Sequence, residues 1–86
     1  MKTLPRILTV EPMTRYKLYI VFDDGTKVMY DVGDDMKAIP EFQILGQVPR
    51  LWQRVQVDKS RTCICWNDQV DLPSDTLYEY GTAVSQ

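Results

Sequence analysis

The stretch from Arg15 to Val32, RYKLYIVFDDGTKVMYDV, constrains the fold more than any other part of the chain. Tyr16, Leu18, Ile20 and Phe22 alternate with Lys17, Tyr19 and Val21. Beyond Asp23-Asp24-Gly25, the residues Val28, Tyr30 and Val32 alternate with Lys27, Met29 and Asp31. A period of two in β-branched and aromatic residues sends successive side chains to opposite faces of an extended strand. Asp-Gly supplies the positive backbone dihedrals of a short hairpin loop. Two antiparallel strands are therefore expected here, and the rest of the chain has to complete a sheet around them and cover it.

Upstream, Arg6 to Val10 reads as a further strand that Pro12 ends, because proline lacks the N–H a ladder needs. Met13-Thr14 makes the turn, so these three strands form a meander. Gly33-Asp34-Asp35 breaks the alternation, and Asp34 or Asp35 can cap a helical turn running to Ile39. Pro40 suits a first helical position. Phe42 and Leu45, with Ile44 and Val48, give an apolar face of helical period that Gly46 weakens or ends. Short helical pieces over 34–47 are expected to cover one sheet face.

Pro49-Arg50-Leu51-Trp52 reads as a tight turn that presents Leu51 and Trp52 as anchors. Arg54 to Asp58 and Thr62 to Asn67 then form a second hairpin around Lys59-Ser60-Arg61. Val55 and Val57 share a face, as do Ile64 and Trp66, with Cys63 and Cys65 on the opposite one. Asn67-Asp68 begins a loop. Ser74 or Asp75 caps a last helical turn through Tyr80 that packs by Leu77 and Tyr78, with Gly81 at its end. Residues 82–86 lack pattern and are expected to be a flexible tail. The fold class that follows is α+β: one domain over 1–86, with a small antiparallel sheet of a three-strand meander plus a second hairpin, and short helices. The strands are expected to make one curved platform.

Composition narrows the function. A chain of 86 residues has room for one core and little to spare for a deep pocket. The net charge of −2 argues against a general nucleic-acid coat, which needs a strong positive field. The charge is segmented: +3 over 1–22, −4 over 23–45, +3 over 46–61 and −4 over 62–86, which sum to −2. The N-terminus has no apolar run of signal-peptide length, and nothing approaches the ~18 apolar residues of a membrane span. With two cysteines spaced too closely for a disulfide framework, a cytoplasmic protein with reduced thiols is expected.

Few chemistries survive. The chain has no histidine, which excludes Ser–His and Cys–His nucleophile pairs. Cys63 and Cys65 offer two of the four ligands a structural zinc wants. They are candidate redox thiols only if a cation such as Arg54 or Arg61 lies beside them. The pairs Asp23-Asp24, Asp34-Asp35 and Asp68/Asp71 lack the ligand ladder of a calcium loop, and turn and cap chemistry account for the first two. The four glycines stand alone, so no phosphate-cradling loop exists. No cofactor and no metal are expected, and the chain reads as a non-enzyme.

Two binding surfaces remain. Tyr19, Val21 and Met29 oppose the Leu18 face of the hairpin and would form an apolar patch if helices cover only one side. Arg50, Arg54, Lys59 and Arg61, beside Trp52, have the composition of a surface for an acidic partner or single-stranded nucleic acid.

The hairpin YKLYIVFDDGTKVMYDV, the turn PRLWQRVQVD, the strand ending in Trp66 and the closing DLPSDTLYEYG together resemble one bacterial family, domain of unknown function 2442 (DUF2442), over about residues 6–81. These are packing and turn motifs, specific to a fold rather than to an activity. The resemblance implies a small α+β domain with an antiparallel sheet and brings no catalytic residues. It also implies a domain that either stands alone or precedes a helix-turn-helix DNA-binding domain; stopping at Gln86, the chain is expected to lack the latter. The resemblance further implies a partner, since stand-alone members are often encoded beside another small protein, an arrangement reminiscent of toxin–antitoxin pairs. The expected function is thus a protein-interaction module pairing with a small, nearby-encoded protein or with itself, with nucleic-acid-linked regulation through residues 50–61 as the alternative.

Overall fold

In the computed structural model, which describes residues 5–67 and 70–84, the expected hairpin is the centre of a four-stranded antiparallel sheet. Its strands are β1 (Ile7–Pro12), β2 (Lys17–Phe22), β3 (Lys27–Asp31) and β7 (Thr82–Ala83), in the order β1-β2-β3-β7. Tyr19 pairs with Met29 and Ile20 with Val28; Val10 pairs with Ile20 and Glu11 with Tyr19. The β2–β3 loop closes with the Gly25 N–H on the Phe22 carbonyl (3.0 Å) and the Phe22 N–H on the Thr26 carbonyl (2.8 Å). Gly25 alone carries the positive φ, at 90°. That is a tight turn followed by a left-handed glycine, the geometry of a three-residue hairpin loop.

Strand β2 begins two residues later than the alternation suggests. Thr14–Tyr16 is a 3-10 turn in which Arg15 (φ 62°) and Tyr16 (φ 58°) are left-handed. Side-chain pattern cannot reveal this, because neither residue is of a type that favours such dihedrals.

The middle of the chain is helical, as expected: α1 (Val32–Ala38), a 3-10 turn (Pro40–Gln43) and α2 (Ile44–Gln47). The cap of α1 is Asp31, whose Oδ1 accepts the Gly33 N–H at 2.9 Å. Asp34 and Asp35, expected as caps, instead occupy the first turn, where negative charge meets the positive end of the peptide dipoles.

The second hairpin is present but joins a separate sheet. Strands β4 (Gln56–Val57) and β5 (Cys63–Cys65) are extended by β6 (Asp71–Pro73), in the order β4-β5-β6. The single platform is therefore corrected to two antiparallel sheets. The Ile7 N–H donates to the Arg61 carbonyl at 2.8 Å, so a loop contact, not a ladder, joins them; β4 is too short to extend the larger sheet. The Asn67-Asp68 loop is described only as far as Asn67; Asp68 lies outside the described residues.

Helix α3 (Ser74–Tyr80) follows β6 directly. Ser74 is its first residue rather than its cap: it is fully buried and its Oγ has no hydrogen-bond partner among the described residues. The Gly81 N–H caps the end on the Leu77 carbonyl at 3.0 Å. A Cβ on Gly81 would lie 2.6 Å from that carbonyl and 2.9 Å from Val28, so glycine is needed here for close approach. Thr82 and Ala83, expected within an unpatterned tail, pair with Met29 and Val28. The Val84 N–H adds a bond to the Lys27 carbonyl at 2.9 Å.

One core unites these elements. Leu18, Ile20, Phe22, Val28 and Tyr30 from the large sheet meet Phe42 and Leu45, the anchors Leu51 and Trp52, and Ile64, Trp66, Val70, Leu72 and Leu77. Trp52 stacks on Trp66 at 5.8 Å between ring centroids, and the Trp66 indole N–H donates to the Trp52 carbonyl at 3.3 Å.

Candidate functional site

The register of the large sheet sorts its side chains into two faces. Leu18, Ile20, Phe22, Val28 and Tyr30 are buried, and the alternate residues form the opposite face. Across that face, Glu11, Tyr19, Met29 and Thr82 make one row, Thr9, Val21 and Lys27 a second, and Lys17 and Asp31 a third. Tyr19, Val21 and Met29 are half-buried at its centre. The expected apolar group is thus brought together, with Tyr19 directly opposite Met29. Cross-strand aromatic–aliphatic neighbours of this kind shield one another while leaving area for a partner.

Lys17, Lys27, Asp31 and Glu11 rim this face. The alternation that groups the apolar members places these charges among them. Beyond Met29 lies an open hollow of about 740 Å³ that includes Asp31, Asp34, Asp35 and Tyr80 in its lining. The Tyr30 hydroxyl donates to Asp35 Oδ2 at 2.6 Å. Burial, then that bond and the nearby carboxylates, pushes the Tyr30 hydroxyl above its ordinary range.

The four basic residues do not join this face. Arg54 is exposed at the end of a 3-10 turn (Trp52–Arg54) and Lys59 is exposed in the β4–β5 loop. Arg61, left-handed at φ 62°, donates from Nη1 to the Ile7 carbonyl at 3.4 Å. Asp58 braces the loop by accepting the Ser60 N–H (3.0 Å) and hydroxyl (2.9 Å) on Oδ2. These bonds hold its carboxyl below the ordinary carboxylate range. Arg50 stands apart and, with Arg15, lines a cleft at the β1–β2 connection. Sequence reasoning missed Arg15, which reads as the first residue of a strand.

Cys63 and Cys65 share one side of β5, opposite Pro73 and Asp71 respectively, and both are half-buried free thiols. The surroundings of Cys63 are the reverse of an activating site. Burial first, and then the Asp58 and Asp71 carboxylates, raises its thiol above the ordinary value, so thiolate is scarce. Among the described residues no group of three or more Cys, Asp or Glu is placed to hold a metal ion. No helix there is long and apolar enough to cross a membrane.

Two short antiparallel sheets, bridged by helical turns around one core, define a small α+β domain with an open sheet face. The chain belongs to the family of proteins of unknown function DUF2442, whose profile matches residues 7–83. It is similar in fold to the crystal structure of a proposed DNA-binding protein from Nitrosomonas europaea, with a TM-score of 0.75 and 24% identity. The match covers 93% of this chain and 52% of that one, so the chain spans about half the length of its structural neighbour. At this identity the likeness is one of fold. No curated protein matches the chain.

Proposed function

We propose that the chain is a non-catalytic protein-interaction domain of a bacterial cytoplasm that presents the open face of its larger sheet to another small protein encoded nearby. The observation that supports this reading is the half-exposed Tyr19–Met29 pair with Val21 beside it, on the side turned away from the core. A face is favoured over a sheet edge. Strand β1 carries a register shift between Ile7 and Thr9 and ends in Pro12, and β7 has two residues; such features blunt strand-to-strand pairing. The chain offers no histidine for acid–base work, in keeping with binding rather than catalysis. Co-expression with the product of the adjacent gene, one protein tagged, tests the proposal. Stoichiometric co-purification is expected, and purification of the tagged protein alone contradicts it.

A second reading, nucleic-acid-linked regulation through Arg50, Arg54, Lys59 and Arg61, draws on the description of the Nitrosomonas protein. It requires a mobility shift at low salt that Arg50→Glu or Arg54→Glu abolishes; an unshifted probe removes it.

A further inference from the structure

The cleft at the β1–β2 connection has no residue in common with the open sheet face. It is an open depression of about 520 Å³ between the Pro12–Tyr16 turn and the segment from Leu45 to Gln53. Arg15 and Arg50 both line it, and no carboxylate does so among the described residues. Neither guanidinium has a hydrogen bond or ion pair with the described part of the protein. Two exposed guanidiniums with no partner among the described residues leave their fork of donors available to an anionic group. The lining is mixed: beside Thr14, Gln53 and the two arginines, Met13 and Val48 are 38% and 47% exposed and offer an aliphatic side chain a contact at the rim.

The backbone is also held in a costly shape here. Of the four non-glycine residues with positive φ among those described, Arg15, Tyr16 and Arg50 line this cleft. Such conformations persist when the surrounding structure enforces them, and they gather at binding sites. The enforcement is visible. The Trp52 indole N–H donates to the Met13 carbonyl at 3.0 Å, and the Tyr16 ring meets Trp52 edge-on at 5.2 Å.

Charge and shape together select the ligand. Single-stranded nucleic acid needs an aromatic face on which a base can stack. The Trp52 ring stacks on Trp66, its surface is engaged by Tyr16 as well, and the residue is 9% exposed. Trp52 therefore offers a base no free face, and the aromatic surface left in the cleft is the half-buried Tyr16 ring. A peptide needs no such face: carboxylates reach the guanidiniums, and an aliphatic side chain rests against Met13 and Val48. We propose that this cleft binds a short acidic segment of a partner protein, with its carboxylates on Arg15 and Arg50 and an intervening apolar side chain on the Met13–Val48 rim.

The test uses the full chain and a short peptide of alternating Glu and Leu, observed by NMR. Its controls are the same peptide with Lys for Glu and an oligothymidylate of similar length. The acidic peptide is expected to shift the amides of Arg15 and Arg50 and the indole N–H of Trp52. In the double variant Arg15→Asn/Arg50→Asn the affinity should fall by about tenfold or more. Asparagine tolerates left-handed dihedrals, so this variant removes charge without stressing the turns, and an unchanged spectrum outside the cleft verifies its fold. The proposal is overturned if the acidic peptide moves none of these signals, if either control moves them as strongly, or if the double variant binds equally well.

Discussion

The indole N–H of Trp52 donates to the main-chain carbonyl of Met13 at 3.0 Å, linking residues 39 apart in sequence. One bond thereby ties the turn that connects β1 and β2 to the anchor that enters the core from the helical segment. Trp52→Phe keeps a ring for the Trp66 stack but leaves the Met13 carbonyl without its donor and shrinks the packed area. A loss of about 2–4 kcal/mol is expected in urea unfolding. A loss below about 0.5 kcal/mol would show that the bond contributes little to holding the two segments together.

Ser74 supplies a prediction of opposite sign. Its hydroxyl oxygen is fully buried and has no hydrogen-bond partner among the described residues, and an unsatisfied buried hydroxyl costs folding free energy. Ser74→Ala removes that cost without adding volume, and a gain of about 1 kcal/mol is expected from chemical denaturation. Destabilisation would mean that the hydroxyl has a partner in solution.

Two carboxyls are held low, Asp58 in the β4–β5 loop and Asp24 in the β2–β3 loop, and the second gives a prediction for acid stability. The Asp24 Oδ1 accepts the Thr26 N–H at 2.9 Å and its Oδ2 the Tyr78 hydroxyl at 2.8 Å. The Thr26 N–H is the larger cause of a carboxyl held below its ordinary value of 3.8. A carboxyl depressed in the folded state stabilises the fold above its unfolded value, and that contribution disappears as the pH falls through the folded value. Asp24→Asn should therefore flatten the decline of Tm below about pH 4, and Tyr78→Phe should do so in part. A decline as steep as that of the unsubstituted chain would place the acid-labile group elsewhere.

Cys63 should be a slow thiol. Burial first, and then the Asp58 and Asp71 carboxylates, raises its thiol, the reverse of what the cation required by a redox role would do. In a Cys65→Ser variant, labelling by a disulfide reagent at pH 8 should run several-fold slower than for a small-molecule thiol of ordinary acidity. Asp58→Asn should quicken it. Labelling as fast as the free thiol would restore the redox reading.

These relationships mark what the sequence carries legibly. Alternation identifies Leu18, Ile20, Phe22, Val28 and Tyr30 as one face and Tyr19, Val21 and Met29 as the other, because a strand's period is fixed by backbone geometry. Leu51 and Trp52 are legible as anchors because a polar, proline-led turn leaves them little else to do. Strand β6, Asp71-Leu72-Pro73, is not legible: three residues ending in proline carry no period, and only pairing with β5 makes them a strand. Thr82 and Ala83 become a strand for the same reason, their partner β3 lying more than fifty residues away. The cap of α1 falls on Asp31 rather than Asp34 because Asp31, the last residue of β3, is already extended (φ −94°, ψ 100°), which is the backbone a cap requires. The cleft is hidden most deeply, since left-handed arginines leave no mark in composition or spacing.

The central claim is that the open face of the larger sheet receives a protein partner, and calorimetric titration of the purified chain with the protein encoded beside it tests this most directly. Tyr19→Lys/Met29→Glu places opposite charges on two directly paired, half-exposed positions, so the domain should still fold. The account predicts micromolar or tighter binding for the unsubstituted chain and a weakening of about 100-fold or more for the double variant. Binding unaffected by these two substitutions in a folded variant, or no heat of binding at all, would contradict it.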